Sequence, residues 1–392
     1  MRRTSALLTA LALAVAGAAG TGAPARAETG IGCGARISTD TVLDADLLDC
    51  PGTGLVIDAD NITLDLNGHT VDGDAAEVAD CAAGPGRCDV GIANTAGHAG
   101  VRITGGSITD FSLGVSLVGA AENSLSRLTV SRNLLAGVEL DEVTGGRVEH
   151  SAITRNAQAP AGVGGITLVS STDVVIEGND IDQNGKLGIR AATSSVRHSI
   201  AGNRVTDNAE SGILLNGDEN TVTRNVFLRN GGGIAFGGNR NRVVGNVVAD
   251  VPWCGYPGCG SAIQLVTGRD NRISANLVHG APAGIDLESF EGSLEGTVVS
   301  GNTVDKARGT GIAVDVSHGD GTLENTLLEH NVVTRGADDG FSIENASTTL
   351  TGNVALGNAD LGIEAVTGVT DGGDNYAAAN GDSRQCTEVD CG

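Results

Sequence analysis

The stretch NDIDQNGKLGIRA, residues 179–191, contains both elements of a repeat that recurs along the chain. An asparagine precedes a short apolar segment, and a Gly-Ile step then opens a segment of alternating side chains. The Gly-Ile element recurs as GVSL at 114, GVEL at 137, GITL at 165, GIRA at 188, GILL at 212, GIAF at 233, AIQL at 262, GIDL at 284, GIAV at 311, GFSI at 340 and GIEA at 362. Its spacing, from 21 residues (212 to 233) to 29 (233 to 262), is shorter than a propeller blade and favours a solenoid.

The repeats show the alternation of β-strands and no amphipathic helical pattern. A single repeat of this kind cannot bury its apolar face, whereas stacked repeats form one continuous core. Aromatic residues make up only 2% of the chain, so the core must be built from Val, Ile, Leu and Ala. The sequence therefore predicts an all-β protein, a single right-handed parallel β-helix of about a dozen coils.

Asparagines recur at one position of the repeat and predict a ladder of stacked side-chain amides inside one turn. The ladder would contain Asn179, Asn203, Asn225, Asn246, Asn276, Asn302, Asn331 and Asn353. Because the residue recurs in coil after coil, a structural role is favoured over a functional one.

The first residues have the three parts of a secretory signal peptide. A basic start is followed by the apolar run ALLTALALAVAGAAG and by the small-x-small pattern Ala25-Arg26-Ala27. The run is too short to span a bilayer, so we expect residues 1–27 to be a signal peptide and the protein to be secreted. The mature chain then divides into an N-terminal cap (28–52), the β-helix (53–370) and a C-terminal cap (371–392).

Eight cysteines occur as close neighbours, which predicts local disulfides in an oxidising compartment. The predicted pairs are Cys33–Cys50, Cys81–Cys88, Cys254–Cys259 and Cys386–Cys391. No CxxC motif occurs, so a zinc site is disfavoured. We expect these bridges to staple loops and caps.

The formal net charge of −24 argues against nucleic acid and anionic membranes as partners, because both need basic surfaces. A monomer is expected. A polyanionic ligand would need local arginines or a bridging cation.

The stretch GLVIDADNITLDLNGHTVDG, residues 54–73, together with the repeats, resembles the secreted right-handed β-helix superfamily, the pectate-lyase-like group that includes NosD-type repeats. The resemblance covers nearly all of the mature chain. It implies the β-helix fold, but the superfamily contains lyases, hydrolases, epimerases and proteins without known chemistry. Lyases of this group use Arg or Lys as a base, commonly with Ca²⁺. The pectate-lyase and polygalacturonase signature motifs are missing from this sequence, with only a faint HGD at His318.

In each Gly-Ile strand the residues between the inward side chains point outward and form two rows. The first outer row would be Ser116, Glu139, Thr167, Arg190, Leu214, Ala235, Gln264, Asp286, Ala313, Ser342 and Glu364. The second outer row would be Val118, Asp141, Val169, Ala192, Asn216, Gly237, Val266, Glu288, Asp315, Glu344 and Val366. The second row thus places three carboxylates on consecutive coils, with Asp286 beside the first.

Carboxylates one strand apart repel each other unless a cation binds or one of them holds a proton. One option is Ca²⁺ bound by Glu288 and Asp315, since Ca²⁺ prefers carboxylate oxygens. The other is an acid/base pair of the kind that glycoside hydrolysis needs, with Asp286, Glu288, Asp315 and Glu344 as candidate catalytic residues. A solvated acidic face without function is the third.

Long insertions surround the same coils, and long loops on a rigid scaffold often carry function. The loop VPWCGYPGCG, residues 251–260, precedes the AIQL strand and holds Trp253 and Tyr256. We expect this loop, Phe290 and His318 to wall a groove above the carboxylates, since aromatic faces suit sugar rings. Packing of Trp253 on its own disulfide is the alternative. The candidate substrate-binding residues are Trp253, Tyr256, Gln264, His318 and Arg190.

Two functions are compatible with this pattern. The first is a secreted carbohydrate-active enzyme that cleaves an extracellular polysaccharide, as a lyase or a glycoside hydrolase. The second is a non-catalytic extracellular protein that binds glycan or a partner surface. Arg190 is the one basic residue in the two outer rows; Arg269, Lys306, Arg308 and Arg335 would have to reach the carboxylates from turns.

Overall fold

A computed structural model describes residues 30–76, 89–252, 260–289, 292–315 and 321–392 of the chain. Met1–Gly30 is a unit separate from Ile31–Gly392, and the account below concerns the second unit. The described residues contain β-strands and turns and no α-helix. Accordingly, none of them forms a helix long and apolar enough to cross a membrane.

The Gly-Ile segments form one continuous parallel sheet of fourteen strands, here called sheet 1. Its strands are Ala35–Ile37, Leu55–Ile57, Val90–Asn94, Leu113–Val118, Ala136–Asp141, Gly164–Val169, Leu187–Ala191, Ser211–Asn216, Gly232–Gly237, Ser261–Leu265, Ala283–Glu288, Ile312–Asp315, Phe341–Ile343 and Ile363–Ala365. Successive strands of the sheet come from successive coils, so the predicted right-handed parallel β-helix is confirmed.

Two further parallel ladders complete each coil. The first contains Thr41–Val42, Thr63–Asp65, Arg102–Thr109, Ser124–Ser131, Arg147–Glu149, Val175–Glu177, Ser199–Ala201, Thr221–Thr223, Arg242–Val244, Arg272–Ser274, Val298–Ser300, Thr326–Glu329, Thr348–Thr351 and Thr370–Asp371. The second contains Leu47–Cys50, Thr70–Gly73, the ends of Arg102–Thr109 and Ser124–Ser131, Ala152–Thr154, Asp180–Asp182, Arg204–Thr206, Val226–Leu228, Val247–Ala249, Leu277–His279, Thr303–Asp305, Val332–Thr334, Val354–Leu356 and Tyr376–Ala378. A small sheet of Gly268–Arg269, Ser293–Glu295 and Thr322–Glu324 lies beside them.

The recurring glycine of the Gly-Ile step lies where a side chain has no room. A Cβ at Gly188 would lie 2.5 Å from the carbonyl oxygen of Gly212 in the next coil and 2.7 Å from a methyl group of Val205. Glycine therefore lets consecutive coils approach each other closely at the start of the sheet 1 strands that carry the Gly-Ile step.

The predicted asparagine ladder is confirmed. Asn203 donates from its side-chain amide to Asn225 Oδ1 at 3.0 Å and to the Ile176 carbonyl at 2.9 Å, and the same pattern runs from Asn179 to Asn375. A second ladder, which was not predicted, joins Asn133, Asn156, Asn184, Asn208 and Asn230. The ladders satisfy polar groups inside the turns of an apolar core. That core is mainly aliphatic, as expected, but it also contains Phe111, Phe227, Phe236 and Phe341, which were not predicted.

Two of the four predicted disulfides, Cys33–Cys50 and Cys386–Cys391, are present. The predicted pairs Cys81–Cys88 and Cys254–Cys259 lie outside the described residues. Strand pairing extends into both segments assigned to caps, because Ala35–Ile37 pairs with Leu55–Ile57 and Tyr376–Ala378 pairs with Val354–Leu356.

Candidate active site on the outer face of sheet 1

The strand register of sheet 1 confirms the first outer row. Each strand pairing from Ser116–Glu139 through Gln264–Asp286 to Ser342–Glu364 joins consecutive members of that row. In the second outer row, Glu288 lies directly opposite Asp315. Neighbouring strands are about 4.8 Å apart, so these two carboxylate-bearing residues are immediate neighbours.

Asp286 and Glu288 belong to the same strand, Ala283–Glu288, and point to the same side because they are two residues apart. Asp286 is half-buried, whereas Glu288 is buried and only 7% exposed. The structure therefore brings Asp286, Glu288 and Asp315 together on two adjacent strands. These are three of the four predicted catalytic residues.

Burial, with the nearby charges of Glu288 and Asp315, raises the pKa of Asp286 to about 7, and a hydrogen bond from Ser261 offsets part of this rise. Ser261 Oγ lies 3.3 Å from Asp286 Oδ2 and donates to it. A carboxyl with this pKa is protonated in about half of the molecules at neutral pH and can act as a general acid.

Glu344, the fourth predicted catalytic residue, is exposed just after the strand Phe341–Ile343. Its backbone N–H donates to the Val314 carbonyl at 2.9 Å, which places it beside Asp315. Partial burial, the charge of Asp315 and a side-chain hydrogen bond to Asp315 raise the pKa of Glu344. Glu344 therefore holds its proton more readily beside Asp315, which relieves part of the like-charge repulsion expected from the sequence.

The acidic face continues beyond the predicted residues to Glu364 and Asp339. Asp339 is 7% exposed and accepts a hydrogen bond from the Leu361 N–H at 2.8 Å. Its pKa is raised to about 7 by burial and by its contacts with Glu364 and Asp338. Asp339 was not predicted as a site residue because it precedes the Gly-Phe step and so belongs to neither outer row; the adjacent pair Asp338-Asp339 was the available signal.

A surface cavity of about 450 Å³ lies at this C-terminal end of the face. It is lined by Ser342, Ile343, Glu344, Glu364, Ala365, Val366 and Thr387. Thr387 follows Cys386 and is held by hydrogen bonds to the Ala365 backbone, so the last disulfide-bonded segment closes the end of the acidic face.

In the described part of the chain, one carboxylate oxygen each of Asp338, Asp339 and Asp360 lies within 4.8 Å of the other two. At this distance the three carboxylates could bind one cation together. Glu288 and Asp315 offer carboxylate oxygens of the kind that Ca²⁺ binds. Calcium at Glu288 and Asp315 stays a prediction.

The predicted substrate-binding residues divide into two groups. Gln264 is half-buried directly opposite Asp286, whereas Arg190 lies four strand spacings away, about 19 Å along the sheet. Trp253, Tyr256, Phe290 and His318 lie outside the described residues.

The cations named in the sequence analysis as reaching from turns lie elsewhere. Arg269 pairs with Glu295 at 3.2 Å, Arg335 pairs with Asp305 at 2.6 Å, Arg308 donates to the Val251 carbonyl, and Lys306 is exposed on the turn after Thr303–Asp305.

Sixty-two solved chains share the fold significantly. A mutant tailspike protein of E. coli bacteriophage HK620, in complex with a pentasaccharide, matches with 11% identity and a TM-score of 0.54 over 85% of this chain and 65% of the tailspike chain. DFA-IIIase from Arthrobacter chlorophenolicus A6, in complex with GF2, matches with 14% identity and a TM-score of 0.45 over 86% of this chain and 83% of its own. The mannuronan C-5 epimerase AlgE6 A-module of Azotobacter vinelandii matches with 15% identity and a TM-score of 0.44 over 75% and 80%.

The sequence matches no curated protein significantly. It does match the profile described as "Right handed beta helix region" in three overlapping segments, 38–196, 90–248 and 164–326. Together these segments span residues 38–326, well over half of the 392 residues. The chain therefore belongs to the right-handed β-helix family.

Proposed function

We propose that this protein is a glycan-cleaving enzyme that works on the outer face of sheet 1, with hydrolytic chemistry at Asp286, Glu288 and Asp315. The observation that carries the proposal is the register of two adjacent strands, which brings these three carboxylates together. A partly buried carboxyl beside charged ones is the arrangement that acid/base hydrolysis of a glycosidic bond needs.

In the proposed reaction Asp286 donates its proton to the glycosidic oxygen as the bond from that oxygen to the anomeric carbon breaks. The leaving sugar departs with a new hydroxyl group, and Asp286 becomes a carboxylate. Water adds to the anomeric carbon, and its proton passes to Glu288 or Asp315. Proton transfer from solvent then restores the starting state, so the net reaction consumes one water.

The positions of the described arginines favour hydrolysis over elimination. A lyase needs a positive or basic group to remove a proton next to a uronate carboxylate. Arg269 and Arg335 are paired with Glu295 and Asp305 instead, and Arg190 is about 19 Å from Asp286. The raised pKa of Asp286 fits a proton donor.

The proposal of a glycan as ligand has support from the fold. A tailspike protein of the same architecture holds a pentasaccharide, and elongated β-sheet faces suit extended polymers. Between Arg190 and Asp286 the first outer row contains Leu214, Ala235 and Gln264. These side chains are uncharged, which suits an extended glycan lying along the face.

Secretion is part of the same proposal, because a polysaccharide substrate lies outside the cell. The signal-peptide pattern of residues 1–27 and the disulfides Cys33–Cys50 and Cys386–Cys391 support it. Recovery of the protein from culture medium, with a new N-terminus near Glu28, would establish it; full-length protein retained in the cytoplasm would contradict it.

The function can be tested with a panel of neutral and uronate-containing polysaccharides. New reducing ends without the ultraviolet absorbance of unsaturated uronates are expected, and that absorbance would indicate a lyase instead. Asp286→Asn should remove cleavage, while Asp141→Asn, a carboxylate change in the second outer row far from the site, should not. Binding of a glycan with no cleavage by the parent protein would identify the non-catalytic alternative.

A further inference from the structure

Ser261 is the one described side chain with a defined hydrogen bond to the Asp286 carboxyl. It is the first residue of its sheet 1 strand, Ser261–Leu265, and is only 7% exposed. Ala283 lies directly opposite Ser261 in the next coil, and Asp286 lies three residues further along that strand. The bond therefore runs diagonally from one coil to the next.

The backbone just before Ser261 is tightly constrained. Gly260 has a φ of +97°, and a Cβ there would lie 2.7 Å from the Pro282 ring of the next coil. Because Gly260 fits closely against Pro282, the point at which the chain enters the strand is determined by the coil that carries Asp286. Ser261 thus enters its strand next to a residue that packs directly on the coil carrying Asp286.

We propose that Ser261 is a positioning residue for the reaction, holding the Asp286 carboxyl so that Oδ2 accepts its hydrogen bond and Oδ1 carries the proton given to the glycosidic oxygen. This inference rests on the proposed function of Asp286. Since Oδ2 already accepts from Ser261 Oγ, the proton is best placed on the other oxygen. After proton transfer the same bond becomes charge-assisted and stabilises the carboxylate that forms.

The sheet contains a matched position without a carboxyl. Ser211 begins its own sheet 1 strand in the same way, with Gly232 opposite it, but the residue corresponding to Asp286 in that next coil is Ala235. Ser211→Ala therefore removes the same hydroxyl from an equivalent strand start where no acid can receive its bond.

The test compares steady-state kinetics of Ser261→Ala, Ser261→Thr and Ser211→Ala on the polysaccharide that the parent protein cleaves. Loss of one hydrogen bond to a group that becomes charged predicts a drop in kcat of roughly tenfold for Ser261→Ala, with KM unchanged. Ser261→Thr keeps the hydroxyl and should restore kcat, while Ser211→Ala should match the parent. Thermal unfolding of each variant checks that the fold is retained.

The inference and the proposed function fail in different ways. An Asp286→Asn variant that still cleaves glycan overturns the proposed function. If Asp286→Asn is inactive but Ser261→Ala keeps the parent kcat, or loses activity that Ser261→Thr does not restore, the positioning role of Ser261 is wrong.

Discussion

Glu288 lies directly opposite Asp315, one strand spacing away on the outer face of sheet 1. Asp315 also shares a side-chain hydrogen bond with Glu344 on the following coil. Asp315 is therefore the central member of the acidic row, with a carboxylate-bearing residue on the coil on each side.

Replacement of Asp315 by asparagine should abolish glycan cleavage and leave the fold intact. Asparagine has nearly the same shape and removes one of several neighbouring charges, so we expect no loss of thermal stability. Loss of a catalytic carboxylate typically costs on the order of a hundredfold or more in rate. Reducing-end assays and thermal melting measure the two effects, with Asp141→Asn as the control. Full activity of Asp315→Asn would show that this residue is not part of the site.

The pH dependence of cleavage should follow the protonation of Asp286. Its pKa of about 7 means that the proton needed by the leaving oxygen is present below this pH and is lost as the pH rises through it. Activity at saturating substrate should therefore decline on the alkaline side near neutral pH. A rate that instead rises through this range would assign Asp286 as a base.

His198 should make the fold acid-sensitive. It is 1% exposed, and its Nδ1 accepts a hydrogen bond from the Val174 N–H at 3.2 Å. Burial lowers its pKa to about 4, whereas an unfolded histidine titrates near 6.5. Between these values the unfolded chain takes up a proton that the folded chain does not, so stability falls as the pH is lowered from about 6.5 to about 4, by up to about 3 kcal/mol.

The contribution of His198 can be isolated with His198→Asn. The following coils already carry Asn220 and Asn241 at this position, so asparagine fits the local ladder. Chemical denaturation at a series of pH values should show that the difference in stability between parent and variant changes over this window. Parallel stability curves would mean that His198 does not titrate as its burial indicates.

The asparagine ladder should contribute strongly to stability. Asn203→Ala would remove the amide that bonds Asn225 and the Ile176 carbonyl, and also the acceptor for the Asn179 N–H, leaving buried polar groups unpaired. Such groups cost about 1–3 kcal/mol each, so we expect a loss of at least about 3 kcal/mol. Asn216→Ala, on the half-buried outer face, is the matched control. Equal denaturation midpoints for the two variants would contradict a role of the ladder in stability.

Repetition made most of the architecture predictable. The Gly-Ile steps and the asparagines recur once per coil. Each of these residues packs against the equivalent residue of the neighbouring coils, so its recurrence in the sequence indicates its position in the coil. This is why the β-helix, the first outer row and the ladder through Asn203 could all be predicted. The second ladder lies after a different strand of the coil, a few residues before the Gly-Ile step, and it involves fewer coils than the ladder through Asn203.

The candidate site was predictable only in outline. Alignment of the repeats placed Asp286, Glu288 and Asp315 on one face, but it could not show that Ser261 bonds Asp286 or that Asp339 contacts Glu364. Both relationships run diagonally between coils and begin at residues before the Gly-Ile alignment.

The sequence by itself thus determined the coil, its inward and outward rows and the presence of a carboxylate cluster, because these follow from periodicity. The tertiary structure alone decided which carboxyls are buried, which have a raised pKa and which arginines are already engaged in ion pairs. Those properties depend on solvent access and on distances between side chains of different coils, and neither is encoded in the spacing of residues along one strand.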